Sequence, residues 1–339
     1  MGINKNYNSF DLIKFIGCFF VVMIHAKPFY SFSEGLDFVF VNILASVAVP
    51  LFFVISGFFL FSKLEFEENK LVNSLNNKKK IGKTVYRLFV LYFLWTLFYF
   101  VFKTIPESFQ YDRTFISCIK ETIYTFFTCG SVFHFWYFVS LIYGILFLTF
   151  VLRFINVNKI IFVVFGAYIF RGILIYKSGI DLNFLYNFFS HFLQGLSFLC
   201  CGILLANNRD RNYSGKFLGL LFVVYVAESF LLKRVLCISV SNSYILSMLP
   251  FAFVFGGWLL NCTYVENTDK NIFNKMRKYS TLIYCIHPYF IYLLNKTNIF
   301  SASNSFLQYV LVVICSFSFS YVFIRLSNVK LFKGLKMMF

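Results

Sequence analysis

Long apolar runs separated by short polar connectors dominate the chain. A helix that crosses a bilayer needs about 20 mostly apolar residues. Ten runs come near that length: 11–30, 38–61, 86–104, 134–154, 160–176, 184–206, 217–232, 243–262, 280–295 and 306–325. The pattern predicts an all-α integral membrane protein, a bundle of about ten transmembrane helices forming a single polytopic domain over residues 1–339. No internal repeat and no appended soluble domain are expected. The stretch 114–133 is amphipathic and carries Lys120 and Glu121, so it is expected to be an interfacial helix on the outer side.

The basic residues orient these runs. With the amino terminus inside, 21 of the 31 Lys and Arg residues fall in inner segments and eight in outer ones, while Lys14 and Arg171 lie within spans. This bias predicts both termini in the cytoplasm. The first run is expected to be a true span rather than a signal peptide. Lys14 interrupts its apolar core, and no small-x-small cleavage site follows in AKPFYSFSEG.

Composition agrees. The chain is 59% hydrophobic and 13% charged, against about 25% charged in soluble domains. The net charge of +17 does not imply nucleic acid, because the basic residues sit in alternate connectors rather than on one folded face. Nine cysteines show no C-x-x-C and no zinc or haem signature, so no metal is expected. Cys118 and Cys129 flank the outer segment and could pair.

The ionisable residues inside apolar runs are the candidates for chemistry. In SFDLIKFIGCFFVVMIHAKPF at 9–29, Lys14 and His25 are eleven steps apart, or three helical turns plus roughly 20°. Asp11 lies one turn before Lys14, so the three share one face, which must look into a bundle or a watery cavity. His25 reads equally as a buried hydrogen-bonded imidazole and as a general base. Lys14 favours the second reading and needs an anionic partner, either Asp11 or a phosphate-bearing substrate. Asp11 lies too far down the helix to orient His25 directly and is matched with Lys14.

Further along, Ser56 and Gly57 in FFVISGFFL allow close helix approach. Lys78, Lys79, Lys80, Lys83 and Arg87 crowd the inner surface, where anionic lipid or a polyphosphate ligand explains them equally. His134 and Trp136 open the fourth run at the outer surface. His287 lies mid-span beside Pro288, which frees a backbone carbonyl one turn back. His191, Glu228 and Arg171 are further intramembrane ionisable residues, and the last two could pair.

Laid out in order, these features resemble the type-three membrane acyltransferase family of bacteria, which O-acylates surface glycans and peptidoglycan. Lys14-x10-His25 after an Asp-Leu, FFVISGFFL at 52–60, the basic stretch at Lys80, Lys83 and Arg87, HFWYF at 134–138 and IYCIHP at 283–288 each have a counterpart there. The chain has Lys14 where the family usually has Arg, and Lys80 and Lys83 precede the single Arg87. Lys keeps the charge but loses the bidentate fork.

The resemblance implies a multi-pass protein of the bacterial cytoplasmic membrane that uses cytosolic acyl-CoA, acetyl-CoA being the common choice, as donor substrate, with no permanently bound cofactor. The acceptor would be a hydroxyl of a cell-surface glycan or envelope polymer. His25 would act as general base or transient acyl carrier, with His134 or His287 as the second polar group. Lys14, Ser56, Gly57, Lys80, Lys83 and Arg87 would contribute to donor binding. The rival is a transporter or flippase of a glycan or lipid-linked sugar using the same polar cavity. Some relatives form the membrane part of a larger enzyme, as in the serine racemases of vancomycin resistance, and no racemase domain is expected here. Acyl group, acceptor and oligomeric state stay open.

Overall fold

The computed structural model describes residues 7–178, 184–234, 245–262, 270–297 and 305–339. Each of the ten predicted runs contains helix among the described residues. Among the described residues, seven helical stretches are long and apolar enough to cross a membrane by length and composition: Asn8–Ala26, Glu34–Phe61, Leu75–Gln110, Phe115–Val151, Phe189–Asn207, Gly215–Arg234 and Ser305–Leu326. The protein is thus a helical, multi-pass membrane protein. The chain divides into two compact units, residues 1–52 with 209–337 and residues 53–208.

In the first unit, α1 (Asn8–Ala26) ends where Lys27 adopts a left-handed conformation, φ 45°, and returns its N–H to Met23 O. Pro28 follows and cannot continue the helix. The chain re-enters helix at α2 (Glu34–Asp37), passes through a π-helical stretch (Phe38–Leu44) and a 3-10 turn (Ala45–Val47), and continues into α3 (Ala48–Phe61). A π-helical stretch disturbs the regular backbone ladder. Here the Tyr225 hydroxyl donates to Ile43 O at 2.9 Å. Tyr225 comes from α10 (Gly215–Arg234), which packs on α11 (Met248–Leu260). The remaining helices are α12 (Lys270–Lys296) and α13 (Ser305–Leu326). α12 packs against both α1 and α13, and Cys18, Val22, Ile283 and Val312 form their common buried seam. Ser9 Oγ donates to Leu259 O at 2.7 Å, and Ser305 Oγ to Pro28 O at 3.0 Å, tying both ends of α1 down.

In the second unit, a two-residue hairpin, β1 (Phe66–Glu67) and β2 (Lys70–Leu71), turns through Glu68 and Asn69 at positive φ. It leads to α4 (Leu75–Tyr99), capped by Ser74, whose Oγ accepts from Asn77 N. After α5 (Ile105–Gln110) comes α6 (Phe115–Thr128), the amphipathic stretch of the sequence. Its 14 residues rise about 21 Å, short of the roughly 30 Å hydrocarbon core. Arg113 pairs with Glu121 on its polar face. Cys118, in the helix, and Cys129, just after it, are both free thiols, so the pairing the sequence allowed is not formed. Then follow α7 (Trp136–Val151), α8 (Val157–Ser178) and α9 (Phe184–Asn207), with α9 packed on both α7 and α8.

Two glycines set the closest approach in this unit. A Cβ on Gly202 would lie 2.5 Å from Val54 O and 2.8 Å from Gly57 Cα, so α3 and α9 touch backbone to backbone. Along α4, Tyr92, Trp95 and Tyr99 are buried, whereas Phe89, Phe93 and Leu97 are exposed. An apolar stripe exposed one turn after another suits lipid and not water.

Candidate active site

The site begins with two helices that run parallel. Asp11 near the start of α1 meets Arg277 on α12, and His25 near the end of α1 meets His287 further along α12. Two contacts in the same order along both helices fix direction and register together.

Asp11 is buried. Arg277 Nε donates to Asp11 Oδ1 at 3.0 Å and Nη2 donates to Oδ2, a two-pronged pair. The two side chains differ in exposure, 54% for Arg277 and 4% for Asp11. The carboxylate is therefore a buried seat, and the guanidinium presents its remaining N–H groups outward. The sequence reading matches Asp11 with Lys14. The structure adds a partner from α12 that sequence spacing did not single out. One signal was available: Arg277 precedes His287 by ten residues, much as Lys14 precedes His25 by eleven.

At the far end, the His25 and His287 rings stack with centroids 5.4 Å apart and planes 20° from parallel. His287 is fully buried. Its Nδ1 lies 3.1 Å from Ile283 O. A carbonyl only accepts, so Nδ1 is the donor, and in a neutral ring the lone pair then lies on Nε2. The Tyr284 ring lies 6.2 Å from His287, and Phe52 lies 6.4 Å from Tyr284 edge to face. Between the two ends, α1 rises about 21 Å from Asp11 to His25, and α12 about 15 Å from Arg277 to His287. The reach of the arginine side chain spans much of the difference. Lys14 sits one turn beyond Asp11 and is partly exposed.

The other candidates have their own surroundings. Glu228 in α10 accepts from Leu246 N at 2.8 Å and Ser247 N at 2.9 Å, just ahead of α11, and from the Ser247 hydroxyl. In the second unit, His134 is buried in the turn before α7, 6.0 Å from the Tyr99 ring. Trp136 stacks on His191 at 4.4 Å. Gln194, one turn along α9 from His191 and buried, was not anticipated. Arg171 donates to Ser190. The Ser56 and Tyr137 hydroxyls share a hydrogen bond of 3.2 Å, and Gly57 lies at the α3–α9 crossing. Lys80 Nζ donates to Lys63 O at 2.5 Å, while Lys83 and Arg87 are exposed on α4. The structure thus joins Asp11, His25 and His287 through one helix pair.

Chemically, that pair offers a proton-accepting imidazole couple at one end and cationic groups at the other. Among the described residues, no three His, Cys, Asp or Glu side chains are grouped to hold a metal ion.

Comparison with known proteins agrees with the motifs. An amino-acid racemase of Enterococcus faecalis is 26% identical over 95% of this chain and 46% of its own length. A serine/alanine racemase of Enterococcus gallinarum is 25% identical over 93% of this chain and 45% of its own length. The chain therefore spans about half the length of these relatives. No solved structure matches. The family model described as "Acyltransferase domain" matches residues 7–325. The chain belongs to the acyltransferase 3 family.

Proposed function

We propose that this protein moves an acyl group, acetyl being the first choice, from cytosolic acyl-CoA to a hydroxyl of an extracytoplasmic glycan or envelope polymer. The observation that carries the proposal is the parallel α1–α12 pair, with Arg277 seated on Asp11 at one end and His25 stacked on His287 at the other. Ten helices with both termini in the cytoplasm would put the cationic end inside the cell, in a bacterial cytoplasmic membrane.

The donor's phosphates would meet Lys14 and Arg277. Asp11 takes the Nε and Nη2 edge of Arg277, which leaves the Nη1 N–H groups for an anion. Lys80, Lys83, Arg87, Ser56 and Gly57 belong to the second unit and stay separate candidates for donor binding. The narrow pantetheine arm would carry the thioester toward His25. There the imidazole takes the acceptor hydroxyl's proton as the oxygen attacks the thioester carbonyl. The carbon–sulfur bond breaks, and the CoA thiolate leaves and is protonated. Alternatively the imidazole is acylated first and the acceptor then attacks it. His287, polarised by its hydrogen bond to Ile283 O, would share the proton.

A test uses purified protein in nanodiscs with radiolabelled acetyl-CoA. Turnover or self-acylation that disappears in His25→Ala and weakens in Lys14→Ala supports the proposal. Full activity in His25→Ala at normal protein levels defeats it.

The names of the relatives favour one second reading, in which the chain is the membrane component that passes a small amino acid, such as serine, to or from a racemase. Saturable serine uptake into protein-containing vesicles, without any acetyl-CoA turnover, would favour it.

A further inference from the structure

The first unit contains a cavity of 540 Å³ that the proposed reaction leaves unused. It lies among α1, the end of the 3-10 turn, the start of α3, α10 and α11, and includes Gly17, Phe20, Phe52, Gly219, Phe222 and Trp258 in its walls. None of the sixteen lining residues is charged, and the Trp258 indole is the sole polar side chain among them. A cavity of roughly 150 Å³ holds a benzene molecule. This one is more than three times larger, is open on one side and follows about two turns of α1, α10 and α11, a shape for part of a flexible hydrocarbon chain.

Gly219 is exposed at the open side of this space. A Cβ on Gly17 would strike the Phe52 ring at 2.7 Å, and one on Gly215 would reach Trp258 Nε1 at 3.4 Å, whereas one on Gly219 would meet nothing within 4 Å. Glycine in a helix interior costs about 1 kcal/mol relative to alanine, and at Gly219 no neighbouring helix requires it. Two basic residues lie near the start of α10, where Gly215 lines the cavity: Lys216 beside it and Arg211 in the loop before it. α10 begins at Gly215, next to the exposed Lys216, and the preceding loop is held to the end of α11 by Asn261 Nδ2 donating to Arg211 O at 3.3 Å.

We propose that this cavity binds one acyl chain of an anionic phospholipid, whose phosphate rests against Lys216 and Arg211. The site is independent of the acyl-transfer reading. Phe52 belongs to its wall and also packs on Tyr284, which neighbours His287. A bound chain therefore backs the aromatic layer behind the histidines.

Trp258 reports occupancy. The protein is placed in phosphatidylcholine vesicles with rising fractions of phosphatidylglycerol brominated on its acyl chains. The Trp258 signal is the difference between wild type and Trp258→Phe. Its quenching should saturate at a low phosphatidylglycerol fraction. Gly219→Leu should weaken that binding on the order of 100-fold, the worth of about four buried methylenes at roughly 0.8 kcal/mol each. Lys216→Gln should weaken it too. Quenching that rises in proportion to the brominated lipid throughout overturns the site, as does unchanged saturation in a folded Gly219→Leu protein. Equal saturation by brominated phosphatidylcholine overturns the anionic headgroup. The saturation experiment uses the unaltered chain and stands whether or not Gly219→Leu folds.

Discussion

His25 on α1 and His287 on α12 stack face to face at 5.4 Å, although 262 positions separate them in the chain. Two imidazoles in contact inside a helical bundle share one environment, so a proton accepted by one is felt by the other. Replacing His25 by Ala is expected to lower kcat/KM for acyl transfer by roughly 10²–10⁴-fold, the usual range for a lost general base. His287→Ala should lower kcat more than it raises KM for the donor. Both are read in nanodiscs with labelled acetyl-CoA, and equal protein yield separates chemistry from folding.

Arg277 and Asp11 form a pair with one buried member. Arg277→Ala strands the buried carboxylate, so it should destabilise more than the double variant Asp11→Ala/Arg277→Ala, which strands nothing. Thermal melts in detergent give the cycle, with a coupling on the order of 1–2 kcal/mol. Arg277→Lys keeps the charge and loses the fork, and should raise KM for acyl-CoA with kcat nearly unchanged.

The Gly57–Gly202 crossing leaves no room for a side chain. Gly202→Ala should cost on the order of 1–3 kcal/mol, since its methyl would overlap the α3 backbone at Val54 and Phe58. Gly82→Ala on α4 is the control, with nothing within 4 Å of the new methyl. It should be neutral or stabilising by about 0.4–1 kcal/mol. Equal melting losses in the two variants would refute the close approach.

Glu65 lies in the connector before α4, where Ser74 Oγ donates to it at 2.8 Å and Asn76 Nδ2 makes a second bond. These bonds, Asn76's first, hold its carboxyl below the usual value of 4.5. A depressed folded value means the stabilisation is present above that ordinary value and disappears as pH falls through the lower folded one. Protection of the first α4 turn against hydrogen exchange, corrected for intrinsic rates, should therefore drop at acid pH. In Glu65→Gln it should be low and independent of pH.

Much of this protein is legible in one dimension. The helical, multi-pass character was legible because a long apolar run in hydrocarbon can satisfy its backbone only within itself. The shared face of Asp11, Lys14 and His25 was equally accessible, since 100° per residue is a local rule. IYCIHP at 283–288 advertised His287 through its proline. Arg277 escaped notice because it resembled any other basic residue of an inner loop.

What the chain determined by itself is therefore the helices, the membrane and the polar face of α1, all products of local geometry and apolarity. Only the tertiary structure decided that Asp11 meets Arg277, 266 positions away, that His287 rather than another imidazole lies on His25, and that Gly57 meets Gly202. The physical reason is that lipid is as apolar as the helix surfaces themselves. Apolar periodicity then no longer says which face meets which neighbour, and that choice falls to shape, small residues and a few buried polar pairs.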